Sequence, residues 1–255
     1  MAAEGLPRLD AQLDARLAEH RRIWDEKEVL RLVYADYYRR LMAAVPAAGG
    51  LLDIGGGSAH VKEFRADTVT LDILPFPGID VVADAHDLPF DDATFSGIVM
   101  LDVLHHLERP VAFLKEAARV LAPGGRIAMM EPGITPLSWW FYNFLHQEPV
   151  ILSQDPYAMT ERQPGKDPFD SNQAIPTLMF GRKRGLSRLA ETVPEFRLAE
   201  TDWLSLAVYP LSGGFKPWCL VPRAAVAPGL ALEAHMPRLL RRAVGFRLFT
   251  VLERR

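Results

Sequence analysis

The chain has 255 residues, of which 49% are hydrophobic and 24% charged, enough for one sizeable core in an α/β domain with insertions or with a small cap. A net charge of −3 gives no support to nonspecific nucleic-acid binding, and a single cysteine excludes an internal disulfide and a cysteine-rich zinc site. No apolar run is long enough to predict a transmembrane helix, and residues 1–17 lack the apolar core of a secretory signal, so we expect a cytoplasmic protein.

The chain begins with a charge-rich segment. Over residues 8–45 apolar side chains recur every three, four or seven positions, which predicts one or two amphipathic helices. We therefore expect an N-terminal helical segment at residues 1–47 and one larger domain over 48–255.

The larger domain opens with an apolar strand at residues 51–54, which runs into a glycine turn at Gly55, Gly56 and Gly57. Glycine permits unusual backbone angles and has no Cβ to block a ligand. The pattern predicts a Rossmann-like βαβ start. In it, the strand that ends in glycines is followed by a helix begun by residues 58–65 and by a strand at about 68–72 that ends in Asp72. A dinucleotide fingerprint has a third glycine where this chain has His60, which argues against NAD and FAD and favours a nucleoside ligand without phosphate.

Further strands are predicted at about 79–83, 97–101 and 126–131, with a helix at 109–121 between the last two. Continuous apolar strands separated by helices indicate a buried parallel sheet. After Glu131 the pattern breaks, and residues 132–196, aromatic and then polar, predict an inserted cap or lid. Strands at 196–208 and 246–252 would complete the sheet.

The segment before the last strand predicts a short helix at residues 229–244. Within it, residues 237–242 combine leucines with arginines. Such a helix fits a membrane surface or an acidic substrate, although the solvated face of a packed helix is the commoner explanation. Peripheral contact with a membrane is therefore left open.

In this order and spacing, the chain resembles the class I S-adenosylmethionine-dependent methyltransferases, in the branch called methyltransferase type 11. The resemblance covers about residues 48–132. It rests on four motifs and on a similar run at residues 119–125. The motifs are Leu52-Asp53-Ile54-Gly55-Gly56-Gly57, Leu71-Asp72, Ala83-Asp84-Ala85-His86-Asp87-Leu88-Pro89-Phe90, and Leu101-Asp102-Val103-Leu104-His105-His106-Leu107.

The resemblance implies a Rossmann-like, mostly parallel, seven-stranded sheet with helices on both faces and an inserted cap. It implies S-adenosylmethionine as methyl donor and S-adenosylhomocysteine as product, with no metal. Asp72 would accept hydrogen bonds from the ribose hydroxyls and Asp84 from the adenine amine, whereas Asp53 would face the ammonium group through water. The expected cofactor-binding residues are Asp53, Gly55, Gly57, Asp72, Ile73, Asp84, Ala85 and Leu101.

Methyl transfer to a neutral acceptor needs a proton acceptor as well as alignment. The candidates are His106, Glu131 and His146, together with His105, the neighbour of His106. His106 stands at the family's habitual histidine position and is interpreted first as structural or as part of the cofactor shell. We expect the acceptor to be a small molecule, a glycan or a lipid-linked intermediate, methylated on oxygen.

Two alternatives stay open at this point. An NAD-dependent oxidoreductase would share the βαβ start, and a noncatalytic cofactor-binding or interaction module would share the glycine turn. No nucleic-acid partner is expected, and the sequence does not indicate an oligomeric state.

Overall fold

The computed structural model describes residues 11–57, 60–144, 149–163 and 166–255. Within these residues seven strands form one sheet. They are β1 (Leu51–Ile54), β2 (Val69–Asp72), β3 (Val81–Val82), β4 (Phe95–Leu101), β5 (Leu121–Pro132), β6 (Phe196–Leu204) and β7 (Arg247–Arg254).

The strand order is β3-β2-β1-β4-β5-β7-β6, and only β7 runs antiparallel to its neighbours. This confirms the predicted seven-stranded, mostly parallel sheet. Ile54 pairs with Leu71 of β2 and Met100 of β4, so these three strands end at the same edge. The chain order reverses between β1 and β4, which opens a crevice at that edge where α/β sheets bind ligands.

Helices cover both faces of the sheet, and each face has its own apolar cluster. On one face α2 buries Leu30, Tyr37 and Leu41, and on the other α3 and α5 bury Phe113 and Phe180. The helices are α1 (Ala11–Glu26), α2 (Glu28–Ala44), α3 (Pro110–Val120), α4 (Pro136–Phe144), α5 (Ile175–Phe180), α6 (Lys183–Thr192), α7 (Val208–Ser212), α8 (Arg223–His235) and α9 (Arg238–Val244).

Two helix predictions were wrong. The helix expected to begin over residues 58–65 is reduced, in its described part, to a 3₁₀ turn at His60–Glu63. Residues 55–68 join β1 to β2 and are numerous enough for a short crossover helix, but the described residues after Glu63 form turns instead. The single helix expected at 229–244 is two helices, α8 and α9, because the chain is extended at Met236 and Pro237.

The segment predicted as a cap, residues 132–196, has two parts. Its first part carries α4, which lies over the edge of the sheet and contacts α9. Its second part carries α5 and α6, whose Met179 and Leu189 are buried in the main core beside the sheet. A moving lid would therefore have to come from the part before α5.

In the part of the chain that the structure describes, no helix combines the length and the apolar character needed to cross a bilayer.

Candidate active site

The ends of β1, β2 and β4 border a cavity of about 1900 Å³. Pockets for one small ligand usually measure about 300–1,000 Å³, so this cavity has room for two ligands side by side. It extends from the glycine turn at Gly55 to Arg247 at the start of β7. The predicted cofactor-binding residues that line it are Gly55, Gly57, Asp72, Ile73, Asp84, Ala85 and Leu101.

The glycine turn is shaped by its lack of side chains. Gly55 and Gly57 have φ angles of 72° and 49°, in the left-handed region. A Cβ at Gly55 would lie 2.3 Å from Cγ2 of Val103, whereas one at Gly57 would meet, among the described residues, only the Gly55 carbonyl oxygen, at 3.9 Å. The turn thus packs tightly on the loop after β4 at Gly55 and leaves open space at Gly57.

Asp72 lies beside this turn at the end of β2. Its Oδ2 accepts a hydrogen bond from the Gly57 amide at 3.0 Å, and its Oδ1 accepts one from the Leu74 amide at 2.9 Å. Burial raises the pKa of Asp72 despite these bonds. The bonds fix the carboxylate at the cavity wall, where it can accept hydrogen bonds from a diol.

Asp53 occupies a different place from the other predicted cofactor residues. It is buried at the end of β1, and it does not line the cavity. Its Oδ2 has no hydrogen-bond partner among the described residues, and it lies 3.0 Å from where a Cβ of Gly56 would stand. Burial, reinforced by the nearby Asp72, raises the pKa of Asp53 well above its usual range. Its contact with a ligand ammonium group stays a prediction.

Asp84 lines the cavity in a network of donors. Its Oδ1 accepts hydrogen bonds from the His86 amide at 2.9 Å and from Nδ1 of His86 at 2.6 Å, and Oδ2 pairs with Nη2 of Arg162 at 3.1 Å. Burial alone would raise its pKa, but the His86 bonds and the charge of Arg162 lower the pKa of Asp84 to about 2. Asp84 is therefore an ionised hydrogen-bond acceptor at the position expected for the adenine amine.

Glu131, one of the base candidates, is buried at the end of β5 and does not line the cavity. Its Oε1 accepts hydrogen bonds from the amides of Val103 and Leu104 at 2.9 and 2.8 Å. Its Oε2 accepts one from Nδ1 of the buried His105 at 2.7 Å. These bonds hold the turn after β4 in place, so the carboxylate has a structural task; its role as a base stays a prediction.

His106 does line the cavity, next to His105. Its Nδ1 donates a long hydrogen bond, 3.4 Å, to the Asp170 carbonyl oxygen. Burial and the neighbouring His105 lower the pKa of His106 to about 2. The ring is therefore neutral near pH 7 and a weak base. His146, the third candidate, lies outside the described residues.

A cluster that we did not predict lies at the other end of the cavity. Asp102 follows β4 with a φ of 59°, a left-handed conformation that aspartate tolerates better than most residues. Both its carboxylate oxygens pair with the guanidinium of Arg247, and Oδ2 also accepts a hydrogen bond from the Tyr34 hydroxyl at 3.1 Å. The guanidinium lies over the ring of Tyr209, 4.3 Å from its centroid.

This cluster, Asp102 with Tyr34, Tyr209 and Arg247, borders the cavity, and the Asp102 side chain keeps 27% of its surface exposed there. Asp102 was visible in the sequence as the residue that ends a strand motif. No periodicity or spacing connects it to Arg247, 145 positions later. The antiparallel entry of β7 beside β5 brings them together.

Residues 52–129 match the family model of the methyltransferase domain. Two curated relatives illustrate the similarity. A demethylmenaquinone methyltransferase of Clavibacter sepedonicus is 30% identical over 158 residues, which are 54% of this chain and 64% of that protein. A 27-O-demethylrifamycin SV methyltransferase of Amycolatopsis mediterranei is 47% identical over 47 residues, which are 18% of this chain and 17% of that protein. The chain spans less than two thirds of the length of these relatives.

Among solved structures, the geranyl diphosphate C-methyltransferase of Streptomyces coelicolor A3(2) has a similar fold, with a TM-score of 0.52 and 13% identity. The match covers 87% of this chain and 79% of that one, whose structure contains S-adenosyl-L-homocysteine. At this identity the likeness concerns the fold. Its domain match and its sheet therefore make residues 52–129 similar to a methyltransferase domain, within a sheet of the Rossmann-like methyltransferase type.

Proposed function

We propose that this protein transfers the methyl group of S-adenosylmethionine to an oxygen atom of a small molecule, a glycan or a lipid-linked acceptor. One observation carries the proposal. A single cavity of about 1900 Å³ joins the predicted cofactor residues to the cluster around Asp102. Two ligands that occupied it would meet at the end of β4, between the two sets of residues.

The cofactor half of the cavity fits S-adenosylmethionine. The space beside Gly57 would receive the methionine part, since a Cβ there would find open room. The Asp72 carboxylate suits a ribose diol, and the ionised Asp84 suits an exocyclic amine. Since this ligand has no phosphate, the absence of a third glycine at His60 does not count against it.

The other half of the cavity suggests an apolar acceptor. Aromatic side chains line it, among them Trp140 of α4, Tyr209 of α7 and Phe246, the residue before β7. Pockets of this kind bind mainly through apolar contact, while a few polar groups set the orientation. The name of one relative, the 27-O-demethylrifamycin SV methyltransferase, agrees with an oxygen atom as the methyl acceptor.

When bound, S-adenosylmethionine supplies a methyl group that is already activated on a cationic sulfur. The chain then has to bind the acceptor, hold its oxygen in line, exclude water and take up one proton. The partly exposed carboxylate of Asp102 borders the cavity, where it can accept a hydrogen bond from an acceptor hydroxyl and orient it. His105, His106, Glu131 and His146 remain the candidate proton acceptors predicted from the sequence.

We further propose that the first part of the segment 132–196 acts as the cap over the acceptor. Leu137, Trp140 and Phe141 of α4 line the cavity, so a displacement of α4 would change access to it. An acceptor that is lipid-linked would also require the cavity to face a membrane surface.

The first experiment is calorimetric titration of the purified protein with S-adenosylhomocysteine, with NAD titrated in parallel. Micromolar binding of S-adenosylhomocysteine and none of NAD supports the proposal. Binding of NAD alone would favour the alternative of an NAD-dependent oxidoreductase. Binding of neither ligand would contradict the assignment of S-adenosylmethionine as cofactor.

The second experiment supplies methyl-labelled S-adenosylmethionine together with aqueous and lipid extracts of cells. Label recovered in an ether or an ester identifies the accepting oxygen. If S-adenosylhomocysteine binds but no fraction becomes labelled, the protein is better described as a noncatalytic cofactor-binding module.

A further inference from the structure

Helix α4 presents three large aromatic side chains to solvent. Trp139, Trp140 and Phe144 are exposed by 41%, 52% and 64%. The Phe144 ring lies 6.5 Å from that of Trp139 and 5.6 Å from that of Trp140, so the three form one group. Only Ser138 and Tyr142 of this helix are buried. Single exposed apolar residues are common on proteins, but a contiguous aromatic group of this kind marks an interaction surface.

Helix α9 lies against α4 and extends this surface. None of its residues is buried, and Leu239 and Leu240 are exposed by 82% and 42%. The helix is held to the edge of the sheet by Arg241, which pairs with Asp202, and by Arg238, which donates to the Thr201 carbonyl oxygen at 3.1 Å. Its leucines are therefore held at the surface by polar anchors and do not contribute to the core.

The charge of α9 opposes that of the whole chain. Its seven residues include three arginines and no acidic residue, in a protein with a net charge of −3. Arg241 is neutralised by Asp202, whereas Arg242 is exposed beside the leucines. Tryptophan, leucine and arginine on one surface are the combination that favours the boundary between headgroups and acyl chains of a membrane, where arginine meets anionic lipid.

The surface also continues into the cavity. Leu137 and Trp140 of α4 are exposed and also line the cavity, as do Leu211 and Trp218. An apolar molecule at this surface would therefore reach the cavity without crossing a polar rim made by α4.

We propose that the α4–α9 surface, defined by Trp139, Trp140, Phe144, Leu239, Leu240 and Arg242, docks on an anionic phospholipid bilayer, with the mouth of the cavity toward the lipid. The local positive charge within an acidic chain is what favours an anionic bilayer over a second copy of the same chain. The proposal does not depend on methyl transfer, because lipid binding is measured by itself.

The test is sedimentation of the full chain with vesicles of phosphatidylcholine alone and of equal parts phosphatidylcholine and phosphatidylglycerol. We expect binding to the anionic vesicles that weakens in high salt. Leu239→Ser should weaken it about tenfold or more, since a leucine no longer enters the apolar layer. Arg242→Gln should weaken it about fivefold. These side chains are exposed, so the substitutions leave the fold intact.

Leu232→Ser is the matched control, because Leu232 is also a solvent-exposed leucine, at 63%, but on α8. It should bind vesicles as the parent chain does. Absence of binding to anionic vesicles, or equal loss in Leu232→Ser and Leu239→Ser, would overturn the proposal. So would a lipid-independent dimer, seen by analytical ultracentrifugation, that Leu239→Ser dissociates, since the surface would then be covered by a second copy.

Discussion

At the scale of single residues, Asp72 is the sharpest test of the cofactor half. Its carboxylate is fixed by two backbone amides and faces the cavity. Hydrogen bonds to a charged group are worth about 1.5–3 kcal/mol, so Asp72→Ala should weaken the binding of S-adenosylhomocysteine by about 10–100-fold. Calorimetry measures this affinity. Asp67→Ala removes an exposed carboxylate just before β2 and should leave the affinity unchanged; equal effects would remove the ribose assignment.

Arg247 is the corresponding residue in the acceptor half. Its guanidinium is buried, and it is the cation that faces the Asp102 carboxylate. Breaking a buried pair costs about 3–5 kcal/mol, and we expect Arg247→Met to cost about 3 because Asp102 is partly exposed. Arg197→Met removes an arginine that pairs with Glu253 at the surface, and should change the free energy of unfolding little. Chemical denaturation compares the two; equal losses would contradict a stabilising role for the buried pair.

At the scale of elements, the glycine turn makes a prediction that separates two causes of instability. Gly55 and Gly124 have φ angles of 72° and 76°, so alanine at either position pays the same left-handed penalty, about 1–2 kcal/mol. Only at Gly55 would the Cβ also collide with Val103, since none of the described atoms lies within 4 Å at Gly124. Gly55→Ala should therefore be the more destabilising change in thermal unfolding.

The same variant has a rescue. In Gly55→Ala combined with Val103→Ala, the colliding methyl groups are gone, and part of the lost stability should return. If Gly55→Ala and Gly124→Ala were equally destabilised, or if the second substitution brought no recovery, packing of the turn on Val103 would not be what requires glycine.

The helices and strands also show which parts of the fold could be predicted from the sequence. The strands were predicted because buried parallel strands are short, continuous apolar runs, and β1 was placed at its observed bounds. The helix predicted after the glycine turn was wrong, because the described residues there form only a 3₁₀ turn at His60–Glu63. Pro237 indicated a break in the helix predicted at residues 229–244. The prediction of one continuous helix gave more weight to an apparent helical periodicity than to this proline.

At the scale of the molecule, His106 predicts a loss of stability in mild acid. Burial holds its pKa at about 2, whereas it is near 6.5 in the unfolded chain. The unfolded state therefore binds more protons, and stability falls as the pH drops below 6.5. Between pH 6.5 and 5, His106 should contribute about 1 kcal/mol of this loss, allowing for its partial exposure.

Urea denaturation at the two pH values measures that loss. His106→Gln should show a smaller difference between them, and His235→Gln, at an exposed histidine on α8, should behave as the parent chain does. An unchanged difference in His106→Gln would mean that other groups govern the acid response.

For the molecule as a whole, the sequence predicted the residues that line the cavity beside the glycine turn, but not the cluster at its other end. The glycine turn, Asp72 and Asp84 lie close together in the chain, and each follows a strand that can be recognised by itself. The acceptor half combines α2, the end of β4, α7 and the start of β7, and the Asp102–Arg247 pair exists only once the sheet order is known.

The place of β7 between β5 and β6 has a consequence for how the site is assembled. The loop that packs on Gly55 is held by Glu131 of β5, whereas the carboxylate of Asp102 acquires its cation only when β7 enters. Until then β6 has no neighbour on which to form, since it pairs only with β7 among the described strands. The wall of the cavity beside Asp102 is therefore completed later in assembly than the wall beside the glycine turn, when β7 enters between β5 and β6.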